Sequence, residues 1–196
     1  MHRWLRVGPV RLHAAALLLP LLLVALERLA RARGWWVAAV EAVGVVSALL
    51  LQPDAAQATA FAAAAGVLLF PGARRSVPRV IAVVSLPVIA GLSWLRRDPL
   101  APAPHVEEIV GLAGTFWPGG AVVAIAALLL LPLPFLVARR DAGWRTRLAL
   151  GAYVSVTCLA PFVGSFPVPV IGYGISPIVG YLLDVGAILR TASPRK

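Results

Sequence analysis

The chain has 196 residues, 60% of them hydrophobic and only 13% charged, with a mean hydropathy of +0.88. That balance excludes an ordinary soluble domain. At roughly 20 residues per crossing, the length holds about six or seven membrane helices and no large soluble domain. Lys and Arg outnumber Asp and Glu by 18 to 8. The arginines stand in short clusters between apolar runs, so an excess of positive charge on cytoplasmic loops accounts for them, and nucleic acid is not expected as a partner. Cys158 is the single cysteine, which excludes an internal disulfide and a cysteine metal cluster. His2, His13 and His105 are too few and too scattered for a histidine metal site.

In chain order, Arg3, Arg6 and Arg11 precede an apolar run at 10–27, as at the start of a signal peptide. The run ends in Glu27-Arg28-Leu29-Ala30-Arg31 and not in a small-residue cleavage site. A retained first helix is therefore expected, either spanning or lying re-entrant or interfacial. Further apolar runs fall at 35–51, 56–72, 78–95, 118–138, 147–164 and 168–189. Pro20, Pro87, Pro132 and Pro134 lie inside such runs and are expected to kink helices, which membrane proteins tolerate. The small residues of 60–66 (AFAAAAG) allow close helix approach.

Arginine placement sets the expected orientation. The clusters Arg28/Arg31/Arg33, Arg74/Arg75/Arg79, Arg139/Arg140/Arg145/Arg147 and Arg190/Arg195/Lys196 belong on the cytoplasmic side, with the C-terminus. The connections at 52–57, 96–117 and 164–167 then lie outside. Arg3, Arg6, Arg11 and the Arg96-Arg97 pair resist this pattern. The expected fold is all-α: one polytopic membrane helix bundle over 1–196 with six or seven transmembrane helices. It carries an external loop at 96–117 and a C-terminal motif helix at 164–189.

Ionisable groups at membrane depth are costly and often functional. Glu27 is expected at the interface beside Arg28, and Glu41 nearer the interior of its run. Asp184 lies deep in the last run, where it pairs with an arginine or faces a cavity. His105-Val106-Glu107-Glu108 puts an imidazole and two carboxylates together on an external loop. A carboxylate there can serve as a general base or help hold a divalent cation at a phosphate. The same residues also fit a solvated helix start, where the dipole favours acids. The last run opens on Pro167 and Pro169 and then carries Tyr173-Gly174-Ile175-Ser176-Pro177. Such residues weaken a helix, and weakened backbone at membrane depth is tolerated only inside protein or along a polar cavity.

These pieces, in this order, resemble the SEDS family of cell-shape and cell-division membrane proteins (RodA/FtsW/SpoVE-like). That family ends in a Pro-x-Pro turn followed by a Tyr-Gly-Gly-Ser-Ser-like motif, matched here from Pro167 and Pro169 to Tyr173, Gly174 and Ser176. Its outer His-Thr-Asp-Phe-Ile-like motif is matched by His105-Val106-Glu107-Glu108-Ile109, with Glu107 in the place of the catalytic aspartate. A Gln-Pro-Ser-Glu-like helix start is echoed by Gln52-Pro53-Asp54, and a Gln-Pro-Asp-Leu-like helix end by Arg97-Asp98-Pro99-Leu100.

The resemblance implies a multi-pass protein of the bacterial inner membrane that polymerises the lipid-linked disaccharide precursor of peptidoglycan. Glu107 would be the base, beside His105. Tyr173, Gly174 and Ser176 would shape the substrate cavity, and Arg96 and Arg97 would meet the diphosphate. Gln52, Pro53, Pro167 and Pro169 would be structural. The cofactor stays open: if the chain is catalytic, either a divalent cation or arginines would stabilise the departing diphosphate. The implied partners are membrane lipid, the lipid-linked precursor and a transpeptidase-type or other division or elongation protein.

The departures are specific. The chain is much shorter than full members, Gly114-Thr115-Phe116 replaces the family's Gly-Glu-Glu, and Ile175 and Pro177 replace the second Gly and second Ser. Pro177 removes an amide donor. A non-catalytic shortened paralogue, acting as scaffold or modulator of an envelope complex, is therefore the alternative expectation. A small transporter using Glu41 and Asp184 is a further one.

Overall fold

An almost unbroken stretch of small residues from Ala55 to Ala65 makes a helix that others can approach on every side. In the computed structural model, which describes residues 4–7, 10–52, 54–96, 104–137, 143–172 and 175–192, that helix is the centre of the molecule. Among the described residues the regular elements are all helical apart from one short N-terminal hairpin. Strands β1 (Trp4–Val7) and β2 (Val10–His13) pair antiparallel, with Trp4 opposite His13 and Val7 opposite Val10. Helices follow as α1 (Ala14–Ala32), α2 (Trp35–Leu51), α3 (Ala55–Ala73) and α4 (Val77–Ser93). Two short helices, α5 (Pro104–Glu107) and α6 (Ile109–Phe116), precede α7 (Gly120–Leu130) and α8 (Leu133–Leu136). The chain closes with α9 (Trp144–Leu159), a 3-10 turn (Ala160–Phe162) and α10 (Ile175–Ala192).

The local chemistry explains most boundaries. His13 ends β2 and caps α1, its Nδ1 accepting the Ala16 N–H at 3.1 Å. So the first four residues of the apolar run at 10–27 are strand, and the helix starts at Ala14. Gly34 turns the chain between α1 and α2 at φ 98°, a value that costs other residues strain. Asp54 caps α3, its Oδ1 accepting the Gln57 N–H at 3.3 Å. Pro132 and Pro134 divide the run 118–138 into α7 and α8, because proline cannot donate to the preceding turn. Pro20, Pro71 and Pro87 remain inside their helices. The stretch 96–117 carries α5 and α6. Within 164–189 the helix begins only at Ile175, after an irregular segment at 163–172.

α3 packs against α9, α4, α2 and α1, and α10 packs along α1. Ala58, Ala60, Ala64 and Ala65 on α3 are wholly buried, as are Ala38, Ala42 and Val46 on α2. Gly180 brings α10 against α1: a Cβ there would stand 2.2 Å from the Ala16 carbonyl oxygen. The outer faces are apolar too. Along α4, Val77, Ile81, Val84, Val88, Leu92 and the following Leu95 form an exposed stripe, and α7 exposes Val122, Val123, Leu129 and Leu130. Among the described residues, α3 alone is long and apolar enough to cross a membrane by length and composition. Shorter apolar helical stretches are Trp35–Leu51, Val77–Ser93, Gly120–Leu136 and Ile175–Gly186.

The two ends of the bundle differ. At one, Arg31, Arg75, Arg79 and Arg145 line a single recess with Glu27 and Trp35. At the other, the Arg96 Nη1 donates to the Leu50 carbonyl oxygen at 2.8 Å, Trp94 meets Phe166 edge-on, and the Val168 N–H donates to the Val106 carbonyl oxygen at 2.8 Å.

Candidate functional site: a buried polar cluster

At that second end, α1, α3, α9 and α10 converge with polar side chains pointing inward. The Nδ1 of His13 accepts the Ala16 N–H, so the ring proton sits on Nε2. That Nε2 lies 2.9 Å from Asp54 Oδ2, and both side chains are 1% exposed. The approach is a close polar contact and not a well-aligned hydrogen bond. Asp54 thus does two jobs, capping α3 through Oδ1 and facing the imidazole through Oδ2. The backbone N–H of His13 donates to Ser176 Oγ at 2.8 Å, which ties β2 to the first turn of α10. On α9, the Tyr153 hydroxyl donates to Gln57 Oε1 at 2.5 Å.

Between these groups lies a cavity of about 30 Å³, bordered by His13, Gln57, Tyr153, Thr157, Tyr181 and Asp184. It has room for about one or two waters. Pro167 and Pro169 close it from the irregular segment. Asp184 is 2% exposed, and its Oδ1 meets no hydrogen-bond donor among the described residues. Among the described residues no three His, Cys, Asp or Glu side chains gather to hold a metal ion. A divalent cation, one of the two options for a catalytic chain, therefore has no three-ligand seat among the described residues.

The irregular segment is held by geometry that a sequence pattern does not display. Val170 adopts φ 63°, a strained value for a β-branched residue. Gly172 sits so close to α5 that a Cβ would come 2.9 Å from the Val106 carbonyl oxygen and 2.5 Å from that of Val168. A side chain at 172 would push the two motif segments apart.

The residues singled out in the sequence divide into groups. Glu107 ends α5 and is half-buried, while His105 on the same helix is exposed. Through Val106 this helix touches the Pro-x-Pro segment, so the two motifs do meet. Ser176 is fully buried and accepts from His13. Pro167 and Pro169 border the cavity. Gln52 is the C-cap of α2, with its N–H on the Ala48 carbonyl oxygen. Arg96 is exposed and its guanidinium closes the last carbonyls of α2, Leu50 and Leu51. Arg97, Pro53, Tyr173 and Gly174 lie outside the described residues. Of the two carboxylates expected at membrane depth, Asp184 lines the interior cavity and Glu41 is exposed.

Sequence reasoning missed His13, Gln57 and Tyr153 as partners. The available signal was weak: three polar side chains inside or beside apolar runs, far apart in the chain. Comparison with known proteins finds no match, neither a family model, nor a curated protein, nor a solved structure.

Proposed function

We propose that the chain is a multi-span integral membrane protein of the bacterial cell envelope, of the SEDS-like type. The observation that carries this is the apolar outer surface. α4 and α7 turn Val, Leu and Ile outward, around an apolar core that also encloses a small polar cluster. Monomeric soluble proteins rarely expose apolar stripes of that extent, whereas lipid accepts them. Helices of 17 residues such as α2 and α4 reach about 25 Å at 1.5 Å per residue, within range of a thin hydrocarbon layer. The recess lined by arginines from three clusters suits the cytoplasmic side, leaving α5 and the Pro-x-Pro segment outside.

On that outer face, contact between Val106 and Val168 supports a shared site for the two motifs, with Glu107 as base for polymerising a lipid-linked disaccharide. The non-catalytic alternative has its own support. The cavity beneath the motif is about 30 Å³, far below the several hundred Å³ of an ordinary ligand pocket. Ser176, one of the motif residues, is engaged by the backbone of His13. The two readings separate by assay. Purified protein is given the lipid-linked precursor, alone and with a transpeptidase-type partner, beside Glu107→Gln. Polymer from the wild type and none from the variant establishes the enzyme. No polymer under any condition leaves the scaffold or modulator role.

A further inference from the structure

A groove of about 680 Å³ runs between α1 and α10, away from the polar cluster. Its floor on α1 is Leu21, Val24 and Ala25, and its far wall on α10 is Leu182 and Leu183. One turn past Val24, the same face of α1 carries Arg28, and Arg33 stands at the helix end. Spacings of three and four residues place Leu21, Val24, Ala25 and Arg28 in one line along the helix. The groove is thus apolar along its length and cationic at one end. Gly186 borders open space in the groove, since a Cβ there would meet nothing within 4 Å.

We infer that this groove seats one anionic phospholipid, with an acyl chain along Leu21, Val24, Leu182 and Leu183 and its phosphate at Arg28 and Arg33. The inference rests on the membrane-spanning reading. Charge complementarity selects the occupant. Both guanidiniums are exposed, and neither has a hydrogen bond or ion pair with a described residue. The nearest acid in sequence, Glu27, is engaged by Arg31. A packed helix from another copy would have to bring acids to this end, whereas a phosphodiester brings the charge and the apolar tail together. Arginine forks suit phosphate oxygens, and basic clefts at the cytoplasmic ends of membrane helices attract anionic headgroups.

The test uses full-length protein in neutral detergent, titrated with phosphatidylglycerol, phosphatidylcholine and glycerol 3-phosphate and read by native mass spectrometry. The expected result is retention of phosphatidylglycerol, at least about tenfold weaker retention of phosphatidylcholine, and none of glycerol 3-phosphate, which lacks the chain. Arg28→Gln with Arg33→Gln should weaken phosphatidylglycerol by about 30-fold, the effect of two basic residues near an anionic surface. Gly186→Leu fills the groove and leaves both arginines, so it should weaken both lipids alike. Circular dichroism confirms that each variant keeps its helices. Equal retention of the two lipids, or undiminished phosphatidylglycerol in either variant, overturns the inference. Release of the protein from native membranes by an alkaline wash overturns the membrane reading itself, which makes the two failures distinguishable.

Discussion

Removing one carboxylate at the start of α3 should cost more than any comparable surface change. Asp54 is 1% exposed and acts through both oxygens, one accepting the Gln57 N–H at 3.3 Å and the other facing His13 Nε2 at 2.9 Å. Losing the cap costs about 1 kcal/mol. Losing the one polar group that faces a buried imidazole N–H costs a further 1–3 kcal/mol or so. Asp54→Ala should therefore destabilise by about 3 kcal/mol. Asp54→Asn keeps one acceptor oxygen for two donors and should cost about half of that on the same grounds. His13→Ala strands the carboxylate and also strips α1 of its cap, so it should match or exceed Asp54→Ala.

The assay is equilibrium unfolding in mixed micelles, followed by circular dichroism and arranged as a double-mutant cycle. The expected coupling between positions 13 and 54 is about 1–2 kcal/mol, because the second mutation removes a partner already lost. A cost under about 0.5 kcal/mol for Asp54→Ala, the level of an ordinary surface change, would refute the reasoning. Additive single effects would do the same.

Other expectations follow from the same packing. Tyr153→Phe removes the donor to Gln57 in a buried setting and should cost about 1 kcal/mol; an unchanged unfolding midpoint would mean the contact is not formed. Gly180→Ala forces a methyl to within 2.2 Å of the Ala16 carbonyl oxygen and must part α1 from α10, at about 1–3 kcal/mol. Gly66→Ala, by contrast, places its methyl in open space inside a helix and should stabilise by about 0.5–1 kcal/mol. Finding the two glycine variants equal would contradict the α1–α10 close approach.

Much of the helical skeleton was legible in the sequence, for a physical reason. Apolar runs bounded by Gly, Pro and charge leave few options, and the run 35–51 coincides with α2. The hairpin was not legible. Val10 to His13 belongs by composition to the first apolar run, and only pairing with Trp4 to Val7 makes it strand. Within 96–117 the acids at 107 and 108 already fitted a helix start, and α5 begins at Pro104, whereas the separate helix α6 left no distinct signal. The site shows the same division. Asp184, Ser176 and the two prolines were conspicuous as polar or helix-weakening residues at depth. His13 was not, because what draws it into the polar cluster is a neighbour, Asp54, brought from another helix start. Long-range juxtaposition of this kind leaves no periodic trace.

The proposed orientation of the bundle in a membrane underlies both the proposed outer site and the proposed lipid groove, and chemical labelling tests it directly. With Cys158→Ala as background, single cysteines are placed at His105, exposed on α5, and at Ser76, exposed in the turn before α4. Intact cells are then treated with a membrane-impermeant thiol reagent. The account predicts that His105→Cys is labelled in intact cells and that Ser76→Cys is labelled only after permeabilisation. Labelling of both positions in intact cells, or the reverse order, would contradict it.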